Sequence, residues 1–455
     1  DELFLEDPRS VGMVPRAPHQ NHGWYLLFST LDRILRVIEP AFPKWLRARA
    51  INAAVAFTEE RLNGEDGMGA IFPPMANAIM MYEALGKGPD YPPRATQRRG
   101  LDLLLVIGED EAYCQPCVSP IWDTGLAAHA LLEAGGERAV AQVKRGLDWL
   151  VPMQVLNVRG DWIVRRPNVR PGGWAFQYAN PHYPDVDDTA VVAMAMDRLA
   201  MERMQNLVNV DYQSQIDRAR EWIVGMQSSN GAWGAFDADN EYYYLNNIPF
   251  ADHGALLDPP TEDVTARCLS MLGQLGDTTS DTVKRGVDYL RRTQAADGSW
   301  YGRWGMNYIY GTWSVLCALN AVGFNRDAPE MRKAVDWLIA IQNPDGGWGE
   351  DGSSYKLDYR GYEPASSTSS QTAWALLGLL AAREVDHPVV ARGAKYLADT
   401  QGKDGFWNEP RYTATGFPRV FYLRYRGYSK FFPLWALARY RNLKDGNEKR
   451  VAFGM

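Results

Sequence analysis

Apolar positions along this chain come in blocks at helical spacing. Amphipathic, strongly apolar stretches such as Thr312–Val322 (TWSVLCALNAV) and Thr372–Ala382 (TAWALLGLLAA) recur, and no stretch sustains the period-two alternation of a strand. The polar breaks between blocks also repeat. The pattern is a basic residue, a small residue, two residues, an aromatic, an aliphatic, then Gln, a Gly-containing turn and Trp. Clear copies are Arg218–Trp233, Arg285–Trp300, Lys333–Trp348 and Arg392–Trp407, with Gln five residues after the aromatic and Trp six after Gln. A fifth copy, Arg145–Gln154, keeps the first half and leaves Trp162 or Trp174 to complete it; a degenerate copy surrounds Phe57, Leu62 and Met68.

Physically, each copy predicts a helix that ends at the Gln. The Gln is expected to bond the helix's orphan carbonyls, Gly to take the positive-φ turn, and Trp to fold back over the helix end. With the apolar blocks between them, the copies become helix pairs with a period of roughly 50–70 residues. Such pairs suggest an all-α fold, an α/α toroid whose inner helices surround a cavity and whose outer helices enclose them. The Gln–Trp copies are read as scaffold, not chemistry.

Composition adjusts this picture at a few points. A length of 455 residues favours two domains. The 46% hydrophobic and 23% charged content fits a soluble, well-packed protein. Sixteen Trp, 23 Tyr and 15 Phe are enough for both a periodic scaffold and a lined cavity. A net charge of −7 argues against a nucleic-acid partner. Cys114 and Cys117 form one CxxC without the second pair or His cluster that structural zinc needs, so no metal or cofactor is expected. No run of 18 apolar residues could span a bilayer.

The candidate chemistry lies at Pro184–Thr189 (PDVDDT), where Asp185, Asp187 and Asp188 precede the apolar stretch Ala190–Ala200. Acidic residues there can simply cap a helix. The neighbourhood Gly172–Tyr178 (GGWAFQY) is aromatic, however. Carboxyls crowded into a dry pocket cannot all ionise, so one can remain protonated and act as a general acid.

The DxDD at Asp185–Asp188 together with the Gln–Trp repeats resembles the squalene–hopene cyclases of the triterpene cyclase family. Gln115–Thr124 (QPCVSPIWDT), Ser369–Leu376 (SSQTAWAL) and Thr415–Tyr425 (TGFPRVFYLRY) add to the resemblance, which covers essentially the whole chain. It implies acid-initiated carbocation cyclisation of squalene to hopene or hopanol, with Asp187 as proton donor and Asp185 and Asp188 tuning it. Many relatives carry His where Arg267 stands; a permanent cation there is expected to make a neighbouring Asp anionic and leave Asp187 hydrogen-bonded to it. The resemblance places Trp122, Phe176, Phe236, Trp304, Tyr310, Phe417, Phe421 and Tyr425 in the aromatic lining. Phe236 stands where well-known relatives have Tyr, and Phe72 where some have a water-ordering Gln.

The family architecture implies that residues 1–118 form the latter part of an inserted second α/α barrel and 119–455 the catalytic barrel, the functional protein being longer than this chain. Residues 22–49, with Trp24, Phe42 and Trp45 among Arg33, Arg36 and Lys44, read as an interfacial helix. That suits a peripheral, monotopic enzyme on the cytoplasmic face of a bacterial-type membrane, with a homodimer possible. Rival readings are a class II diterpene cyclase acting on a prenyl diphosphate, a carbohydrate-active toroid with two separated acids, and a non-enzymatic scaffold.

Overall fold

The computed structural model describes residues 15–17, 19–201, 206–249, 256–355 and 361–455. Helices α1 (His22–Ile38), α2 (Lys44–Glu60), α3 (Phe72–Ala84) and α4 (Pro92–Asp102) come first, then the strand pair β1 (Leu105–Ile107) and β2 (Ala112–Cys114). The stretch read as one interfacial helix is therefore two, because Pro40 and Pro43 break it.

Beyond them six helices form a closed ring: α5 (Pro120–Ala134), α7 (Val186–Ala200), α9 (Glu262–Gln274), α11 (Tyr308–Ala321), α13 (Ser369–Ala381) and α15 (Tyr428–Asp445). Each packs on the next, and α15 returns to α5. Outside it, α6 (Glu137–Leu150), α8 (Gln213–Gly225), α10 (Asp281–Thr293), α12 (Pro329–Ala340) and α14 (Pro388–Thr400) each pack on the inner helix that precedes them. The toroid follows from the apolar pattern. Every residue of α13 is buried, as an inner helix covered on all sides requires, whereas α10 buries only Val283, Gly286 and Leu290 along one stripe.

The repeats fasten these layers, with one change of roles. It is Trp that takes a terminal helix carbonyl: the indole N–H of Trp233, Trp300, Trp348 and Trp407 donates to Ile223, Leu290, Leu338 and Leu397 at 2.7–2.8 Å. The Gln instead reaches forward. Gln227, Gln294 and Gln342 donate to the carbonyls of Thr282, Glu330 and Val389 in the first turn of the next outer helix. Each also donates to its own turn glycine, Gly231, Gly298 or Gly346, whose φ values of 96°, 100° and 90° need a residue without Cβ. The Trp backbone N–H completes the stitch on Thr265, Thr312 or Thr372 of the next inner helix. Trp174, not Trp162, completes the fifth copy, because its indole donates to Leu150 and its backbone to Thr189.

Three further strand pairs sit in the connections: β3 (Trp174–Ala175) with β4 (Pro184–Asp185), β5 (Trp348–Glu350) with β6 (Pro364–Thr368), and β7 (Ala414–Phe417) with β8 (Phe421–Leu423). The first and last of these shape the site.

Candidate active site

The site is built at the N-terminal ends of the inner helices. Pairing of Asp185 with Trp174 delivers the acidic cluster to the start of α7. Asp185 is the N-cap: its Oδ1 accepts from the backbone N–H of Asp187 at 2.7 Å and of Asp188 at 3.2 Å. The capping reading is thus right for Asp185, and capping it frees the two carboxyls that follow. Asp187 Oδ1 accepts from Arg267 Nε at 2.9 Å, and Arg267 Nη2 donates to the Tyr310 hydroxyl, also at 2.9 Å. Arg267 was expected to pair a neighbour of Asp187; it pairs Asp187 itself, because α9 presents it to the second residue of α7 and Asp185 is turned back onto backbone. Asp188 keeps Oδ1 buried without a partner.

Burial dominates the electrostatics. It raises Asp187 to about 6 against the opposing pull of Arg267. Asp185 and Asp188, buried beside other carboxyls and without a cation of their own, are pushed well above the ordinary carboxylate range. The cluster therefore holds protons near neutral pH, and Asp187 is the member paired with a fixed cation.

All three aspartates face an apolar cavity walled by Trp122, Phe176, Phe236, Trp304, Phe417, Phe421 and Tyr425. Backbone bonds fix the rings: Trp304 N–H donates to Asp263 Oδ2 at 2.9 Å and Phe236 N–H to Asp258 Oδ2 at 2.7 Å, setting the two rings edge to face at 6.0 Å. Phe417 and Phe421 are paired across the β7–β8 hairpin with centroids 5.4 Å apart, so a tight turn and not a helix brings them together. Tyr310 does not line the cavity. It is fully buried behind Arg267, edge-on to Trp313 and Trp374. Tyr428 takes a place in the wall that the sequence reading left empty, its hydroxyl accepting from Trp122 Nε1 at 2.9 Å. Cys117, Ile71 and Leu423 were missed as well.

Residues 118–442 match the model of the squalene–hopene cyclase C-terminal domain, and residues 1–110 that of the N-terminal domain. The chain belongs to the squalene–hopene cyclase family. Over its full length it is 70% identical to a squalene–hopene cyclase of Bradyrhizobium diazoefficiens and 57% identical to one of Zymomonas mobilis, spanning 69% of each relative. At 44% identity, 97% of it aligns with 68% of the squalene–hopene cyclase of Alicyclobacillus acidocaldarius. Among solved structures, the type II terpene cyclase MstE of Scytonema, with geranylgeranyl dihydroxybenzoate, shares the fold at a TM-score of 0.50. Identity there is 17%, over 86% of this chain and 97% of that one.

Within this family member, Phe72 stands apart from the aromatic cavity. It opens α3, its backbone N–H donates to the Pro116 carbonyl at 2.9 Å, and it lines a neighbouring, more polar vestibule. Helices α1 and α2 leave much apolar surface uncovered, with Val37 81% and Trp45 67% exposed and no residue of α2 buried. No helix of the described residues is long and apolar enough to cross a membrane.

Proposed function

We propose that Asp187 protonates a terminal alkene of squalene and that the aromatic cavity guides the resulting cation into a pentacyclic hopene- or hopanol-type product. The observation that carries this reading is one buried carboxyl, tied to a guanidinium through a single oxygen, at the wall of an otherwise aromatic cavity. An alkene is a very weak base, so its acid must be protonated at rest and yet release the proton readily. Burial supplies the first condition below pH about 6, where Asp187 carries its proton. Arg267 supplies the second, because it stays charged and stabilises the carboxylate left behind. Asp185 holds the turn, and Asp188 keeps a second proton nearby.

The cation then meets ring faces and no strong base. Each cation–π contact contributes roughly 0.5–2 kcal/mol, enough to steer successive cations without trapping one. The hairpin rings Phe417 and Phe421 serve the later stages, away from the acid. The cavity measures about 240 Å³. No Lys or Arg lines it among the described residues, so a prenyl diphosphate would find no cation there and the class II diterpene reading is disfavoured. A sugar would find few polar groups.

The exposed apolar and basic surface of α1 and α2 serves as a membrane contact through which a bilayer-dissolved substrate is taken up. In this reading the domains divide at residues 118 and 119, with the membrane segment in the first and the acid in the second. Incubating the complete enzyme with squalene in detergent and analysing the products by mass spectrometry tests the reading. Pentacyclic triterpenes are expected; turnover of a prenyl diphosphate with none of squalene would overturn it. Co-flotation with liposomes, lost when Trp45 and Val37 become Asp, tests the membrane contact.

A further inference from the structure

Each turnover removes the proton of Asp187, and it must be replaced. Arg267 cannot pass one on, since a guanidinium keeps its protons throughout the working pH range. Behind it Tyr310 is enclosed by Trp313 and Trp374 with no exposed surface. The aromatic cavity is itself filled by substrate or product during the cycle. A supply line has to arrive from another side.

We propose that Asp123 is that line: a relay that draws protons from the polar vestibule beside the cavity and passes them through Asp188 to Asp187. This rests on the cyclase reading above. The vestibule, about 760 Å³, is bordered by Glu111, Tyr113, Ser119, Asp123 and Arg426. It shares one wall with the aromatic cavity, made of Pro116, Cys117, Phe421, Leu423 and Tyr425. Asp123 is on the vestibule side of that wall and Asp188 on the cavity side.

The two carboxyls belong to the first turns of adjacent inner helices, α5 and α7. These helices approach so closely that a Cβ on Gly125 would be 2.9 Å from Val191 Cγ1, and His129 Nε2 is 3.0 Å from the Val191 carbonyl. Asp123 precedes Gly125 by two residues and Asp188 precedes Val191 by three, so the first turns lie side by side. Asp123 Oδ2 accepts from Ser119 Oγ at 2.8 Å, while Asp123 Oδ1 and Asp188 Oδ1 are both buried without a protein partner. Buried carboxyl oxygens are rarely left unsatisfied. Two of them on neighbouring turns, with Tyr425 facing both cavities, are ready to exchange a proton through a hydroxyl or a bridging water. Burial raises Asp123 to about 6, so it can pick up a proton near neutrality.

The steps balance as pure proton transfers. Asp187 gives its proton to the alkene and becomes a carboxylate; Asp188 reprotonates Asp187; Asp123 reprotonates Asp188; and solvent reaching the vestibule reprotonates Asp123, balanced by the one proton the final cation releases to solvent, from carbon or from a captured water. No electron pair is gained or lost by the protein over the cycle.

The test separates the first turnover from the following ones in the complete enzyme. With enzyme in excess over squalene, and both regimes run below about pH 6, Asp123→Asn should form product at close to the wild-type rate, because Asp187 then starts protonated. With squalene in excess its rate should fall by about 10²-fold, the usual value of a positioned acid. Asp123→Glu should keep most of the steady-state rate, and formate should restore that of Asp123→Ala. Ser119→Ala, which removes only the bond to Asp123 Oδ2, gives a milder form of the effect if the Asp123 variants do not fold. An unchanged steady-state rate in folded Asp123→Asn overturns the relay, as does an equal loss in both regimes without response to formate. Absence of any product from wild type would instead overturn the cyclase reading.

Discussion

The two ends of the inner-helix ring hold the same kinds of buried group and use them oppositely. At the N-terminal end three aspartates share one guanidinium, and only Asp187 is bonded to it. At the C-terminal end one carboxylate has two: Glu133 Oε2 accepts from Arg198 at 2.7 Å and Arg439 at 3.0 Å, while Oε1 accepts from Asn442 at 3.1 Å. Burial pushes Glu133 upward, yet Arg439 and Arg198 more than reverse it and hold it near 2. Residues 451–455 close this end, with Val451, Phe453 and Met455 buried and the Arg198 guanidinium 4.1 Å from the Phe453 ring centroid. Burial alone therefore does not make an acid. The ratio of cations to carboxyls does, and it separates a structural ion cluster from a proton store within one barrel.

The largest effect expected from breaking this contrast is on turnover. Asp187→Asn removes the proton but keeps an oxygen for Arg267, so product formation should drop by at least about 10²–10⁴-fold while the circular dichroism spectrum stays as in wild type. Residual activity near wild type, with contamination excluded, would take the acid role from Asp187. At the other end Glu133→Ala removes the carboxylate that two buried guanidinium groups share. Breaking such a cluster costs about 3–5 kcal/mol, so the midpoint of chemical unfolding should fall without any change in product. A stable variant with altered products would mean that the far end also reaches the reaction.

The pH dependence of stability sharpens the contrast, because the two ends have opposite signs. Asp187 is raised when folded, so its contribution is complete below the unfolded carboxylate pKa and is lost as pH rises through about 6. Glu133 is lowered, so its contribution is present above its unfolded pKa and is lost as pH falls toward 2. Each is on the order of 3 kcal/mol. Relative to wild type, Glu133→Gln should lose its deficit in acid and Asp187→Asn should lose its deficit, or gain, as pH rises. Parallel stability curves for the two variants would show that the charge ratio is not what distinguishes the ends.

Much of this was legible in the sequence because periodic features leave periodic marks. The Gln–Trp copies announced the toroid, and DVDD beside GGWAFQY announced a dry acid. What stayed hidden depended on which neighbour a side chain meets. The Gln of each repeat bonds the following copy, which a single copy cannot reveal. Arg267 is 80 residues from Asp187 in sequence, and nothing local says which aspartate its helix will face. Tyr310 matches a lining position of the family but sits one layer back; Asp123 lay within the Gln115–Thr124 match without a role assigned to it, and Tyr428 gave no signal beyond belonging to an aromatic-rich neighbourhood. Residues 412–424 lack any strong alternation, so the segment holding Phe417 and Phe421 could be anticipated only as a turn of helix or a tight loop.

The smallest effect is the most specific to the cavity, and it concerns Phe421. Its ring lies edge-to-face on Phe417, half-buried, in a wall with aromatic cavity on one side and polar vestibule on the other. Replacing it with Ala removes one cation–π contact of about 0.5–2 kcal/mol and thins the barrier to water at the same point. Protonation at Asp187 is untouched, so substrate should still be consumed, at a rate lowered by no more than roughly tenfold to thirtyfold on that energy. The lost contact should act on one stage of the cascade, so products with fewer rings, ended by proton loss or water capture, should appear beside the normal one. A packing role predicts otherwise: less folded enzyme, with each folded molecule giving the wild-type mixture. Measuring product distribution against folded fraction separates the two, and a wild-type mixture from Phe421→Ala would return this ring to the scaffold.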